Sequence, residues 1–296
     1  MLGAALLTPD GTWQSEHAER SFIWASVGKL ATAAVIMQLA QEGALDLDAP
    51  VSRYVDGVPD GDDITLSMLL SHTSGLRSAN EIVREEGLPM PSSLGEELAL
   101  VADRGSLFCP GSAWRYSNTG YAVLGAVIEA VDGGNYALSV ERRLFDPLDL
   151  TSSRIVTDQS DEAFVTASPD DASTPFHPAV AGAAGSLVGQ PLEVATLLAA
   201  MLDGRLLDRS RLRELTSTFY PMFDQGTFYA QGIMRYRFPD RDGGTGRWIG
   251  HSGGAPGAKA IVAMDENTGN IVAAALTGDG SAEATANLLF RTAIED

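Results

Sequence analysis

A serine and a lysine three residues apart, Ser26 and Lys29, are the first candidates for chemistry in this chain. Residues i and i+3 of a helix lie on one face, about 5–6 Å apart at Cβ, so their side chains can meet. A serine hydroxyl is a weak nucleophile until another group takes its proton. A buried lysine can do this, because desolvation lowers its pKa by up to ~3–5 units. Taken alone, the match more often marks a helix-capping serine and a surface lysine.

The scarcity of lysine and the character of the helix both favour the chemical interpretation. Of the 20 basic residues, 18 are arginine, and the two lysines are Lys29 and Lys259. Genome composition or salt adaptation can also remove lysine from a protein. Of the two basic side chains, however, only lysine can give up its proton, and arginine cannot. Residues 26–41 carry apolar side chains on every face, which is typical of a buried helix. A lysine one turn into such a helix needs a partner or a chemical purpose.

A second candidate is the run Tyr116-Ser117-Asn118, which follows Pro110-Gly111. A tyrosine phenol has an ordinary pKa of about 10. Beside a lysine ammonium this pKa can be lowered, so that the phenolate acts as a base, while an asparagine can hydrogen-bond a substrate amide. Without the first candidate, the same run is better interpreted as an ordinary turn with a half-buried tyrosine.

A third candidate is Gly250-His251-Ser252-Gly253-Gly254, which also spells G-x-S-x-G. This pattern is the nucleophile elbow of α/β-hydrolases, in which a helix follows the serine and the catalytic histidine comes later in the chain. Here residues 260–264 have the pattern of a strand, and no histidine follows Ser252. The sequence therefore predicts that Ser252 is not the nucleophile.

The order and spacing of these elements resemble the serine β-lactamase-like family. That family includes class C β-lactamases, D-alanyl-D-alanine carboxypeptidases, D-amino-acid peptidases and the related family VIII esterases. The resemblance covers nearly the whole chain, and several blocks in the right order make chance a poor explanation. The matching segments are FIWASVGKLATAAVIMQLAQEGALDLDAPVSRY, ITLSMLLSHTSGL, PGSAWRYSNTGYAVLGAVIE, LFDPLDLTSS, AAGSLV and RWIGHSGGAPG.

The resemblance implies a role for each matching residue. Ser26 is the acylated nucleophile, Lys29 its proton partner, and Tyr116 the general base or a proton relay. Asn118 orients Lys29 and the substrate amide. The backbone N–H groups of Ser26 and Gly254 form the oxyanion hole. The edge-strand triad, which binds substrate alongside the sheet, consists of His251, Ser252 and Gly253. His72 belongs to the HTSGL block, and we expect it to be structural.

The triad departs from the family pattern because His251 stands where many β-lactamases have lysine. An unperturbed histidine is mostly neutral at pH 7, so one cation for a substrate carboxylate is missing. We therefore expect neutral esters or amides to be preferred to β-lactams. Lowering the pH toward 6 would charge His251 and so narrow the preference for neutral substrates over β-lactams. Arg235 and Arg247 are candidates for the missing cation.

The elements that must position these residues predict an α/β fold. An antiparallel sheet flanked by helices is expected from residues 1–50 and 215–296, and a mostly helical lobe from residues 51–214, together forming one catalytic unit. Strands are expected at 2–7, 12–17, 228–238, 247–251, 260–265 and 271–276, and helices at 26–41, 64–70, 118–131, 192–202 and 281–294. Turns are expected at Pro9-Asp10-Gly11, Gly243-Gly244, Gly253-Gly254 and Asn267-Thr268-Gly269.

Composition excludes several classes of protein and site. The chain has 296 residues and a net charge of −19, which disfavours binding to nucleic acid or to an anionic membrane. No segment approaches ~18 uncharged apolar residues, so no membrane span is predicted. The single cysteine, Cys109, allows no internal disulfide. Four scattered histidines and no glycine-rich phosphate loop predict neither a metal site nor any other cofactor.

The sequence thus predicts a serine hydrolase that acts through an acyl-enzyme on an ester or on a D-amino-acid or peptide amide. The alternatives are a β-lactamase, a penicillin-binding carboxypeptidase, or a penicillin-binding sensor or scaffold without turnover. The expected partner is a small-molecule substrate, and the oligomeric state is left open. The N-terminus has no secretory signal, which predicts a cytoplasmic location as written, or a periplasmic or secreted one if a leader has been removed.

Overall fold

The computed structural model describes residues 1–160, 162–168, 171–239, 245–278 and 280–295. Its centre is an antiparallel sheet of eight strands in the order β2-β1-β13-β12-β11-β10-β9-β8. The strands at the two ends of the chain meet in this sheet, as predicted. Its strands are β1 (Leu2–Thr8), β2 (Gly11–Gln14), β8 (Tyr220–Pro221), β9 (Thr227–Tyr229), β10 (Met234–Pro239), β11 (Thr245–Ala255), β12 (Ala258–Asp265) and β13 (Ile271–Thr277).

Two smaller sheets lie outside the large one. One joins β3 (Phe22–Ile23), β7 (Leu187–Gly189) and β4 (Arg154–Ile155), and the other pairs β5 (Thr166–Ser168) with β6 (Asp171–Phe176). The first of these sheets sits directly before the Ser26 segment, because β3 ends only three residues ahead of Ser26.

The helices fill the middle of the chain and close its end. They are α1 (Lys29–Gln41), α2 (Leu66–Leu70), α3 (Ala79–Glu86), α4 (Leu94–Arg104), α5 (Asn118–Asp132), α6 (Tyr136–Val140), α7 (Pro191–Leu202), α8 (Arg209–Leu215) and α9 (Ala282–Glu295). Among the described residues, none of these helices has the length and apolarity needed to cross a membrane.

Helix α1 lies in the core, as its apolar sequence predicts. Eleven of its thirteen residues are buried, and Gly43 ends the helix in a left-handed conformation with φ +73°.

The two faces of the large sheet carry different helices. On one face α9 packs Phe290 against Trp248 of β11, with ring centroids 4.9 Å apart.

Helix α7 contacts β1, β12 and β13, although it belongs to the interval assigned to the helical lobe. The lobe boundaries at residues 50/51 and 214/215 stay a prediction.

The strand predicted at 228–238 is wrong, because two strands occupy this interval. The chain reverses at residues 230–233, where Ala230 N–H donates to Ile233 O at 2.8 Å. Gly232 allows this turn with φ +86°, and a methyl group on it would lie 2.3 Å from Ala33 Cβ. The turn therefore needs glycine both for its conformation and for its contact with α1.

Three other boundaries differ from the sequence prediction. Strand β11 continues through Gly253 and Gly254 to Ala255, so no turn occurs at that pair. The returning strand at 12–17 ends at Gln14, and the α-helix expected from residue 26 begins at Lys29, after a 3₁₀ turn (Ala25–Gly28). The turn predicted at Gly243-Gly244 lies outside the described residues.

Candidate active site

Ser26 occupies the 3₁₀ turn that leads into α1. The residue before it, Ala25, is buried and has φ +45°, a conformation that a non-glycine residue adopts only when its surroundings impose it. Trp24 anchors the turn, because its indole Nε1–H donates to Gly189 O at 2.9 Å. Ser26 itself remains half-buried, so its hydroxyl is held by a constrained backbone and stays accessible.

Lys29 is wholly buried and its ammonium nitrogen contacts three oxygen atoms. Nζ lies 3.2 Å from Ser26 Oγ, 2.8 Å from Asn118 Oδ1 and 2.6 Å from Ala184 O. Burial lowers the pKa of Lys29 well below its ordinary value. A neutral amine has two N–H groups for the two carbonyl oxygens and one lone pair that can accept the Ser26 proton.

Tyr116 lies beside this pair, with Lys29 Nζ 4.9 Å from the centre of its ring. Its hydroxyl oxygen is buried and has no hydrogen-bond partner among the described residues. Burial raises the pKa of Tyr116 above its ordinary value, and the nearby Ser26 hydroxyl offsets only part of this rise. The expectation of a lowered tyrosine pKa is therefore wrong, because desolvation is the largest influence on this phenol. A buried phenol with a raised pKa stays protonated, so Tyr116 can donate a proton in this site.

Asn118 begins α5, directly after the capping residue Ser117, whose hydroxyl accepts from Gly120 N–H at 3.1 Å. The Asn118 carboxamide points its oxygen at Lys29 and donates from Nδ2 to Asn80 Oδ1 at 3.0 Å. The sequence did not indicate Asn80, because this residue lies 38 positions away on another helix.

His72 is buried in a cluster of aromatic rings that surrounds Tyr116. Its ring centroid is 4.1 Å from that of Tyr116 and 4.4 Å from that of Tyr229. The Ser117 N–H donates to His72 Nδ1 at 3.2 Å, so the neutral ring carries its proton on Nε2. Burial, and then the charge of Lys29, hold the pKa of His72 well below its ordinary value. This packing fits the structural role expected of the HTSGL block.

His251 points into the protein and is fully buried. Its Nδ1 lies 2.6 Å from Ser252 O, and its Nε2 lies 3.2 Å from the Tyr229 hydroxyl. Burial, followed by the charge of Lys29, lowers the pKa of His251 to about 3. The expectation that His251 becomes charged near pH 6 is therefore wrong, because the enclosed imidazole stays neutral there.

Neither candidate for the missing cation faces this site. Arg235 forms an ion pair with Glu266, with Nη2 2.9 Å from Oε1, and Arg247 lies 3.4 Å from Asn267 Oδ1. Ser252 directs its hydroxyl toward Met234 Sδ at 3.7 Å. No helix follows Ser252, as predicted, because strand β11 continues to Ala255.

The second half of β11 offers a free edge beside Ser26. Strand β10 pairs with β11 only as far as Gly250, so residues 251–255 have no strand partner on that side. A methyl group on Gly253 would lie 2.2 Å from Trp24 O and 3.0 Å from Ser26 N. Only glycine lets the strand approach the Ser26 turn this closely. This approach brings Gly253, on the free edge, next to the Ser26 backbone nitrogen.

The site contains no evident metal centre. Within the described parts of the chain, no group of three or more histidine, cysteine or acidic residues is arranged to hold a metal ion. Cys109 is exposed and lies in a loop. The arrangement can remove a proton from Ser26, donate one from Tyr116, and present backbone N–H groups.

Comparison with known proteins gives consistent matches over most of the chain. The sequence profile of the Beta-lactamase family matches residues 4–294. Penicillin-binding protein 4 of Amycolatopsis lactamdurans is 28% identical, over 95% of this chain and 78% of that protein. Esterase EstB of Burkholderia gladioli is 33% identical, over 53% of this chain and 41% of that protein.

Solved structures agree with these sequence matches. The crystal structure of a D-stereospecific amidohydrolase from Streptomyces sp. has a TM-score of 0.80 and 28% identity, over 94% of this chain and 89% of that one. The chain spans about half the length of two of the curated relatives it matches.

Proposed function

This chain belongs to the β-lactamase family, and from that premise we propose that it is a serine hydrolase in which Ser26 forms an acyl-enzyme. The proposed substrate is an ester or the amide of a D-amino acid or peptide. One observation carries the proposal: the nitrogen of a buried lysine lies 3.2 Å from Ser26 Oγ, and its other contacts are a carboxamide oxygen and a backbone carbonyl. Both of those accept hydrogen bonds only, which leaves the lysine lone pair for Ser26.

Acylation proceeds in this proposal by transfer of the Ser26 proton to Lys29. As Oγ bonds to the substrate carbonyl carbon, the carbonyl oxygen gains negative charge beside the N–H groups of Ser26 and Gly254. Such preorganised donors contribute about 2.7–4 kcal/mol each to transition-state stabilisation. Tyr116 donates its proton to the departing alcohol or amine, and the Lys29 ammonium returns a proton to Tyr116. The acyl-enzyme is then left with a neutral lysine.

Deacylation repeats these transfers with water in place of Ser26. Lys29 accepts a proton from the attacking water, the ester bond to Oγ breaks, and a proton returns to Ser26. The carboxylic acid product leaves, and the enzyme regains its starting protonation state.

Charge supports a substrate without a carboxylate at the reacting end. His251 is neutral and buried, and Arg235 is paired with Glu266. Lys29 already makes three contacts. The net charge of −19 also disfavours anions, although salt screens this effect over ~8–10 Å. Neutral esters and amino-acid amides are therefore the proposed class, in preference to β-lactams.

Labelling with a serine-directed phosphonate tests the nucleophile. Ser26→Ala should abolish the covalent adduct seen in the intact-protein mass, while the matched variant Ser252→Ala should still label. An adduct that survives Ser26→Ala and disappears in Ser252→Ala would overturn the assignment.

Turnover of a substrate panel tests the class of reaction. We expect kcat/KM for a short p-nitrophenyl ester or a D-amino-acid amide to exceed that for a chromogenic cephalosporin at pH 7.5. Faster cephalosporin hydrolysis would replace this proposal with a β-lactamase. A stable stoichiometric β-lactam adduct without ester turnover would indicate a penicillin-binding sensor.

A further inference from the structure

The carboxamide of Asn118 works in only one of its two orientations. With the oxygen toward Lys29, it accepts a hydrogen bond at 2.8 Å. With the NH₂ group toward Lys29, it would donate to the lysine lone pair and compete with the Ser26 proton. Oxygen and nitrogen of a carboxamide have nearly the same shape, so the hydrogen-bond partners of the group decide its orientation. The partner opposite Lys29 is Asn80.

Asn80 is itself fixed as an acceptor by a second donor. The Ser78 hydroxyl accepts the backbone N–H of Asn118 at 2.9 Å and lies 2.8 Å from Asn80 Oδ1, to which it donates. Asn80 Oδ1 therefore receives one hydrogen bond from Ser78 and one from Asn118 Nδ2. Turning the Asn118 carboxamide around would set its oxygen against the Asn80 oxygen, which opposes two acceptors. Turning the Asn80 carboxamide around would instead oppose two NH₂ donors, and both groups lie in a half-buried site.

The backbone holds the two asparagines at this separation. Asn80 is the second residue of α3, and Asn118 is the first residue of α5. The starts of these helices are joined by the Asn118–Ser78 bond and by Ala79 N–H donating to Thr119 Oγ1 at 2.9 Å. The contact between the two carboxamides is therefore a product of the fold.

We infer that Asn80 is a positioning residue that holds the Asn118 carboxamide with its oxygen toward Lys29, and so keeps the lysine lone pair for Ser26. This inference rests on the proposed function. It extends the catalytic apparatus by one residue that does not touch the nucleophile.

Two variants separate orientation from packing. Asn80→Asp keeps an acceptor for Asn118 and Ser78 but adds a negative charge near Lys29. Asn80→Leu keeps the volume and removes the acceptor. Asn135→Asp is the matched control, because it adds the same charge at the exposed start of α6, where the Asn135 side chain caps Leu138 N–H.

The titration of Lys29 gives a readout that does not depend on activity. Two lysines give two side-chain NMR signals in lysine-labelled protein, and Lys29→Arg assigns them. Asn80→Asp should raise the Lys29 pKa by about one unit, while Asn135→Asp should leave it unchanged. The other titratable groups around Lys29 are the rings of Tyr116, Tyr121, His72 and His251. Those near Asn80 are Glu81 with its ion-pair partner Arg115, and Glu97, whose Oε1 accepts from Thr119 Oγ1 at 2.6 Å.

Ester kinetics complete the test. Asn80→Leu should lower kcat at least ~10-fold with a change in KM below ~3-fold, because proton transfer is impaired and substrate binding is not. Asn80→Asp should recover kcat to within ~3-fold at alkaline pH, with its acid limb shifted upward by about one unit. A kcat for Asn80→Leu within twofold of wild type, or an unmoved Lys29 pKa in Asn80→Asp, would overturn the inference. Failure of the wild type to label or turn over contradicts the proposed function instead, and the Lys29 titration then still decides the role of Asn80.

Discussion

The surroundings of Lys29 determine what this residue can do. A lysine on a surface keeps its proton at neutral pH, but here the fold surrounds Nζ with two carbonyl-type oxygens and the Ser26 hydroxyl. Desolvation favours the neutral amine, and its pKa is lowered accordingly. The same three contacts suit the ammonium, which would donate to all three oxygens. The site can therefore hold either protonation state without moving its atoms.

Lys29→Arg tests whether proton transfer, rather than charge, is the contribution of this residue. Arginine keeps the charge but does not deprotonate in proteins. We expect kcat/KM for an ester to fall by at least ~10² in the folded variant, measured beside its thermal unfolding temperature.

Two further variants control this experiment. Lys29→Met has no titratable group and lacks the bulk of arginine. It should lose as much activity as Lys29→Arg, which would show that the size of the guanidinium is not the cause of the loss. Lys259→Arg makes the same exchange at the other, exposed lysine and should keep full activity. Near-wild-type rates in a folded Lys29→Arg would reduce Lys29 to an electrostatic role.

At the residue level, local spacing was readable from the sequence and long-range partners were not. The i,i+3 relation of Ser26 and Lys29 follows from helix geometry alone, and the structure brings the two groups to 3.2 Å. Ala184 O and Asn80 lie 155 and 51 positions from Lys29, and no local pattern marks them. The pKa of Tyr116 was misjudged because its burial depends on the packing of several elements.

Among the elements, β11 connects the sheet to the 3₁₀ turn that holds Ser26. Its first half pairs with β10, and its second half is open on that side. A polar backbone edge of this kind can pair with an extended substrate. Gly253 sets the separation between this edge and Ser26, because there is no space for a side chain there.

Gly253→Ala tests the importance of this separation. A methyl group would lie 2.2 Å from Trp24 O, so β11 or the turn must move, and we expect the two proposed oxyanion donors to separate. We expect kcat to fall by about 10²–10³, the usual loss for one such donor.

The matched control for Gly253→Ala is Gly246→Ala in the same strand. Its methyl group would lie equally close to a neighbour, 2.2 Å from the Phe238 ring, but far from Ser26 along β11. Because the Phe238 ring can shift more easily than the Trp24 backbone, this variant should lose less stability than Gly253→Ala and keep kcat. Equal kcat losses in both variants would show that general distortion of the strand causes the loss, and not the separation between β11 and Ser26.

The antiparallel sheet with flanking helices was predictable from the sequence, because alternating strands and an all-apolar helix carry local signals. This architecture is that of the solved relatives. Two of the errors fall at glycines that make a close tertiary contact. Gly232 breaks a predicted strand against Ala33, and Gly253 continues a strand where a turn was expected. A glycine is compatible with a turn and with a strand, and only its packing partner decides which of the two forms.

The whole molecule encloses two neutral histidines together with Lys29. His72 and His251 are both buried, and burial is the largest cause of their lowered pKa values. In the unfolded chain a histidine has a pKa of about 6.5. Between that value and the lower value in the folded protein, the unfolded chain binds more protons. The free energy of unfolding must therefore decrease as the pH falls below about 6.5.

His251→Gln tests this coupling between protonation and stability. One buried histidine with a folded-state pKa of about 3 should contribute a slope of about 1.4 kcal/mol per pH unit to the free energy of unfolding between pH 6 and pH 4. We expect His251→Gln to reduce the measured slope by about that amount in urea unfolding at a series of pH values, whatever its effect at pH 8. His17→Gln, at a half-exposed residue after β2, is the control. A slope that His251→Gln leaves unchanged would mean that the folded protein protonates His251 as readily as the unfolded chain does.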